Sequence, residues 1–153
     1  MKFAKIFLIG SLVLGAVFGV MVFWIYGVDS HHQNRDSIWW PERGRNVIPP
    51  TAMNIVLNRD LLDHYATYTV AEKDLQAFLL ERFESVYKPQ HQINPAMDRI
   101  PVDNKLIGQQ IGPIGWEVAD GTNYYGYYAS NGGMHSYYHD PATGRTYQRS
   151  AYW

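Results

Sequence analysis

The side chains of this 153-residue chain that could carry chemistry are few and scattered. Cysteine is absent, which removes a thiolate nucleophile, Cys-ligated zinc and any disulfide framework. Six histidines remain. His135 and His139 fall on one face of an expected strand, where a rise of about 3.3 Å per residue separates their Cα atoms by roughly 13 Å, too far to chelate one ion without a sharp bend. His31 and His32 are adjacent, with only Asp29 and Asp36 nearby as further ligands, so a solvated segment is the reading their surroundings favour. His64 lies between Asp63 and Tyr65 among apolar positions, the setting of a hydrogen-bonded structural histidine. Ser136 beside His135 makes no triad, because neighbours on a strand point to opposite faces. No G-x-S-x-G, H-E-x-x-H, G-x-G-x-x-G or G-x-x-x-x-G-K-[ST] pattern occurs, and the sequence implies no metal or cofactor. An enzyme remains open only as a site assembled from distant residues, with Asp63, His64, His135 and His139 the candidates, and it needs two of them to converge in a cleft.

Tyrosine is the second chemical signal. Eight of the 12 tyrosines lie in the last 30 residues, in three runs, 124–129, 134–139 and 145–152. The runs are separated by Ser130-Asn131-Gly132-Gly133 and by Asp140-Pro141-Ala142-Thr143-Gly144. Asn-Gly tolerates the positive φ of a tight hairpin, and Asp-Pro opens a type I turn that a glycine can close. The expected result is a three-stranded antiparallel meander. Tyrosines occur at both parities, so both faces are aromatic. If one face packs on a helix, the other presents Tyr125, Tyr127 and Tyr137, with His135 and His139, as a platform for a ligand or partner. The competing reading is that cross-strand aromatic pairs stabilise a small sheet.

The elements that must position these residues come earlier. Met53, Ile55 and Leu57 alternate with Asn54, Val56 and Asn58. After a turn at Asn58-Arg59-Asp60, Leu62, Ala66, Tyr68 and Val70 share one face of a second strand, giving a β-hairpin. Thr69-Val70-Ala71-Glu72 has the capping-box pattern, and Leu75, Phe78, Leu79, Phe83 and Val86 follow at helical spacing until Lys88-Pro89. Residues 89–115, rich in proline and glycine, read as a long irregular connection with a short strand at 105–111, and Asp98, Arg99 and Asp103 lie in it as turn residues.

Before the hairpin, Ile6 to Val28 carries no charge and ends in Phe23, Trp24 and Tyr26, a pattern read here as a single transmembrane helix rather than a cleaved signal. Lys2 and Lys5 before it predict a cytoplasmic N-terminus, an extracytoplasmic C-terminal domain and contact with membrane lipid. Ser11, Gly15 and Gly19 form a small-residue stripe on which such helices can self-associate or meet a protein partner. Residues 29–50, polar and proline-containing, read as a stem, with Trp39 and Trp40 packing into the domain. Without Lys2 and Lys5 the chain holds 11 basic and 14 acidic residues, which gives no footprint for nucleic acid.

The sequence thus predicts an α+β protein: a single transmembrane helix (1–28), a stem (29–50) and a small domain (51–153) with a β-hairpin, one amphipathic helix and a C-terminal three-stranded meander. The function it supports is an anchored extracytoplasmic binding or assembly module of the cell envelope. The alternatives are a structural accessory subunit of a membrane complex and an envelope hydrolase or metal-dependent enzyme.

Overall fold

The computed structural model describes residues 2–26, 29–40, 42–59, 63–84, 115–119, 121–128 and 133–151. Its helices are α1 (Lys2–Tyr26) and α2 (Glu72–Leu79), and its strands are β1 (Ser30–Asn34), β2 (Met53–Arg59), β3 (Asp63–Thr69), β4 (Asn123–Tyr128), β5 (Met134–Asp140) and β6 (Arg145–Ala151). All six strands join one antiparallel sheet in the order β1-β2-β3-β6-β5-β4.

That sheet corrects the expected fold. The hairpin and the meander are not two portions: β6 docks along the whole of β3, Asp63 pairing with Ala151 and Thr69 with Arg145. The reason is in the pattern of the two strands. Ala66, Tyr68, Thr146 and Gln148 are all buried, so both strands have their inner faces covered and neither suits a sheet edge. The expected stem also enters the fold. Residues 30–34 pair with β2, and Ile38, Val47 and Ile48 are buried around two 3₁₀ turns, Arg35–Ser37 and Arg43–Val47. Ile38 and the pair Val47-Ile48, nine positions apart in a polar stretch, show no period, which is why this segment reads as a linker in one dimension.

The expected anchor is corrected as well. Among the described residues no helix is long and apolar enough to cross a membrane. The helix also begins at Lys2, so it includes Lys2 and Lys5 rather than following them. The single-pass anchor, the membrane and signal-anchor assignment, the cell-envelope placement and the N-in topology are set aside on this finding. On the stripe Ser11, Gly15 and Gly19, a Cβ added at Gly15 or Gly19 meets nothing within 4 Å.

Helix α2 begins at Glu72, but the capping box does not form. The N-cap is Ala71 in extended conformation without a side-chain cap, since Thr69 is held as the last residue of β3 by pairing with Met53 and Arg145. Glu72 and Asp74 still favour the first turn by facing the positive end of the helix dipole. A π-helical turn, Leu80–Glu84, continues the helix. Its wider winding turns Phe83 into the core, where its ring stacks on Tyr127 with centroids 4.2 Å apart, and leaves Glu81 and Arg82 exposed. Lys88-Pro89, the irregular connection with Asp98, Arg99 and Asp103, and the Asn131-Gly132 turn lie outside the described residues.

One face of the sheet meets α2. Leu75, Leu79 and Phe83 pack with Ile55, Leu57, Ala66, Tyr68, Tyr125, Tyr127 and Tyr137 in a single core. On the opposite face Tyr138 is buried beneath Trp116, Val118, Tyr124 and Tyr147. Gly126 makes that second layer possible: a Cβ there would stand 2.5 Å from the Tyr124 hydroxyl oxygen, so the Tyr124 ring lies where any other side chain would be. The β5–β6 turn closes through Asp140, whose carboxylate accepts from the Ala142 amide and the Thr143 hydroxyl, with Gly144 at φ 71°.

Candidate functional site

The tyrosines expected to form a platform line the core instead. Tyr125, Tyr127 and Tyr137 are 4%, 6% and 0% exposed, and His135 and His139 are 4% and 1% exposed. Their polar tips are absorbed internally. The Tyr137 hydroxyl donates to the Val47 carbonyl, and the Tyr125 hydroxyl donates to Glu72 while accepting from the Gln76 amide. Burial raises the Tyr125 pKa, the Gln76 bond opposing it and the Glu72 charge adding to it. Glu72 also accepts from the Asn123 amide at 2.6 Å, so the carboxylate expected to cap the helix instead ties α2 to the edge strand β4.

The four candidates for a distant-residue enzyme are held apart. Asp63 accepts two hydrogen bonds from Arg149, at 2.8 and 3.1 Å, on the face away from α2. His64 Nε2 lies 2.9 Å from Glu42 Oε1, an interaction that pins the start of the second 3₁₀ turn to β3. His139 Nδ1 bonds the Thr146 hydroxyl across the β5–β6 pair. The register places Ser150 opposite both His64 and His135, so these two histidines stand two strands apart, about 10 Å. His135 is held near pKa 4, first by burial and then by the positive charge of Arg82, so it is neutral over the ordinary pH range. Burial lowers His139 in the same sense, opposed by Glu72 and Asp140. Among the described residues no group of three or more His, Asp or Glu is placed to hold a metal ion. His31 and His32 fall on opposite faces of β1, with His32 bonded to the Ser30 hydroxyl.

What the fold does assemble is a cleft of about 570 Å³ between the 3₁₀-turn segment and the end of α2. One wall comes from the segment expected to be a stem, through Arg35, Trp40 and Arg45; the other comes from Phe78, Glu81 and Arg82. Asn46 and Pro50 complete it. Three arginines, from the two 3₁₀ turns and the π-helical turn, therefore line one cleft with Glu81, in a volume typical of small-ligand sites. Each is placed by a local reason. Arg35 opens the first 3₁₀ turn and donates to the Ile48 carbonyl at 3.4 Å, while its Nε is buried and meets no acceptor among the described residues. Arg45 is steadied by Asp36 at 3.1 Å, a carboxylate whose side chain is 80% exposed. Arg82 is turned outward by the π-helical winding that turns Phe83 inward.

Trp40 stands on the cleft wall with 75% of its surface exposed, and Trp39 beside it is 73% exposed, so neither packs into the domain as the sequence suggested. No family model, curated protein or solved structure matches the chain. The cleft therefore rests on its own geometry. Sequence reasoning missed it because its halves are more than 30 positions apart, although one signal was present: Arg35, Arg43 and Arg45 interleave with Trp39 and Trp40 inside ten or so residues.

Proposed function

We propose that this protein is a binding module whose recognition site is the arginine-lined cleft between the 3₁₀-turn segment and the end of α2, and that its ligand is a small anion. The observation that carries the reading is the convergence of Arg35, Arg45 and Arg82 on one cleft. Three such donors lining one cleft suit an anionic ligand, because hydrogen bonds from a charged group to an anionic oxygen are the strong ones. Guanidinium is the donor suited to this task because it stays charged and presents a planar fork to carboxylate or phosphate. Binding is favoured over catalysis by the same residues. Arginine neither takes nor releases a proton near neutral pH, and among the described residues Glu81 is the one side chain on the cleft wall that can, with no histidine or hydroxyl side chain beside it to complete an acid–base or nucleophilic pair.

The test is a titration of the full chain with inorganic phosphate and with acetate, following the arginine side-chain Nε–H resonances by NMR. Saturable shifts confined to Arg35, Arg45 and Arg82, and abolished by Arg82→Ala, support the site. Equal, unsaturable shifts at Arg145 and Arg149, which lie on the opposite face of the sheet, refute it.

A further inference from the structure

Resting on that reading, we infer that the ligand is a carboxylated sugar, a hexuronic acid or a short oligosaccharide carrying one, rather than a bare phosphate or an aromatic acid. Three features of the cleft separate these classes. The first is Glu81, which lines the cleft together with Arg35, Arg45 and Arg82. A polyanion meets that carboxylate as a like charge, whereas a ligand that presents hydroxyl groups beside its own carboxylate meets it as a hydrogen-bond acceptor. The second is Trp40, whose indole lies on the cleft wall and is three-quarters exposed. An open aromatic face stacks against the apolar C–H face of a pyranose while the ring hydroxyls stay accessible to polar neighbours. An aromatic acid calls instead for an enclosed slot, and of the aromatic side chains on the cleft wall only Phe78 is partly buried. The third is Asn46, whose amide offers both donor and acceptor to hydroxyl groups and adds no charge. The division of labour follows: the arginines take the carboxylate, Glu81 and Asn46 take hydroxyls, and Trp40 takes the ring face. At about 570 Å³ the cleft has room for more than one sugar ring.

The experiment uses the full chain and three probes: a disaccharide containing glucuronic acid, the corresponding neutral glucose disaccharide, and inorganic phosphate, each titrated by calorimetry and by the Trp40 indole N–H resonance. The expected result is that the uronide binds about tenfold or more tighter than either comparison probe. Trp40→Ala then weakens the uronide by a few-fold to about tenfold, the range of a single aromatic contact, and leaves phosphate unchanged. Glu81→Ala moves the two anions in opposite directions, weakening the uronide and strengthening phosphate. Phosphate as the tightest probe, or Glu81→Ala strengthening both anions alike, overturns the sugar assignment while the anion cleft stands. Failure of all three probes to bind overturns the cleft reading together with the sugar.

Discussion

Acid should unfold this protein through His135 in a way that one substitution removes. His135 sits on β5 with its ring 5.2 Å from Phe83, buried beneath the end of α2. Burial, and then the charge of Arg82, bring its pKa from 6.5 down to about 4. The sign follows from linkage: between those values the unfolded chain takes up a proton that the folded protein refuses, so stability falls as pH falls. Each pH unit across that interval is worth about 1.36 kcal/mol, so this one group removes about 3 kcal/mol by pH 4, and its contribution is fully present above pH 6.5. Urea denaturation curves at pH 7, 5.5 and 4.5, recorded on the wild type and on His135→Gln, isolate the effect, because the other titrating groups contribute to both proteins and cancel in the difference. The wild type should lose about 2.5 kcal/mol more than the variant between pH 7 and 4.5. Parallel pH profiles would falsify the assignment of a neutral, desolvated imidazole at this position.

Other expected outcomes follow from packing and turn geometry. Phe83→Ala removes the ring stacked on Tyr127 and should cost about 3–5 kcal/mol in urea denaturation, the range for a buried aromatic truncated to alanine; a cost below about 1 kcal/mol means the π-helical turn does not seat this ring. Gly144→Ala should cost about 1–2 kcal/mol, because φ of 71° is left-handed and the new Cβ would lie 3.2 Å from the Val70 carbonyl oxygen. A thermal melt unchanged by this substitution contradicts the turn. Arg82→Gln should raise the His135 titration midpoint measured by NMR, and by less than the whole shift, since burial is the larger cause. An unmoved midpoint means Arg82 does not reach the ring. Ligand at the cleft should raise that midpoint in the same direction by screening Arg82, which gives a second, optical-free reading of binding.

Much of the local structure was legible because it is written in short-range pattern. Ile55 and Leu57 are buried on β2 as their alternation implies, although a bulge at Asn54, whose φ is 54°, shifts the register between Met53 and Val56. Leu75, Leu79 and Phe83 are buried on α2 and its continuation as the helical spacing implies. The Asp140–Gly144 turn uses the side chains its composition names. Where local pattern and tertiary demand competed, the tertiary demand won. Thr69 has the sequence of an N-cap and is spent on strand pairing, and Glu72 has the sequence of a capping glutamate and is spent on Asn123 and Tyr125. The uncharged run of α1, with its aromatic end, suggested a membrane span that the described helix does not supply.

The site was the least legible part. Tyr125, Tyr127 and Tyr137 stood out by abundance, yet α2 packs on the face they share, and Trp116 and Val118 pack with Tyr138 on the other. Composition cannot say which face of a two-sided aromatic sheet stays open; that depends on which segments return to cover it. The cleft was hidden for the converse reason, since Arg35 and Arg45 carry no periodicity and gain meaning only when β1 docks on β2 and brings the 3₁₀ turns against Arg82.

By itself the sequence determined where the strands of the hairpin and meander lie, which face of α2 is apolar and what closes the β5–β6 turn, because each of these is fixed by interactions within a few residues along the chain. Only the tertiary structure decided that β3 and β6 are neighbours, that residues 30–50 belong to the fold, and that three arginines share a cleft. Those outcomes rest on burying faces that are distant in sequence, and the free energy that selects them appears only when the partners are already in contact.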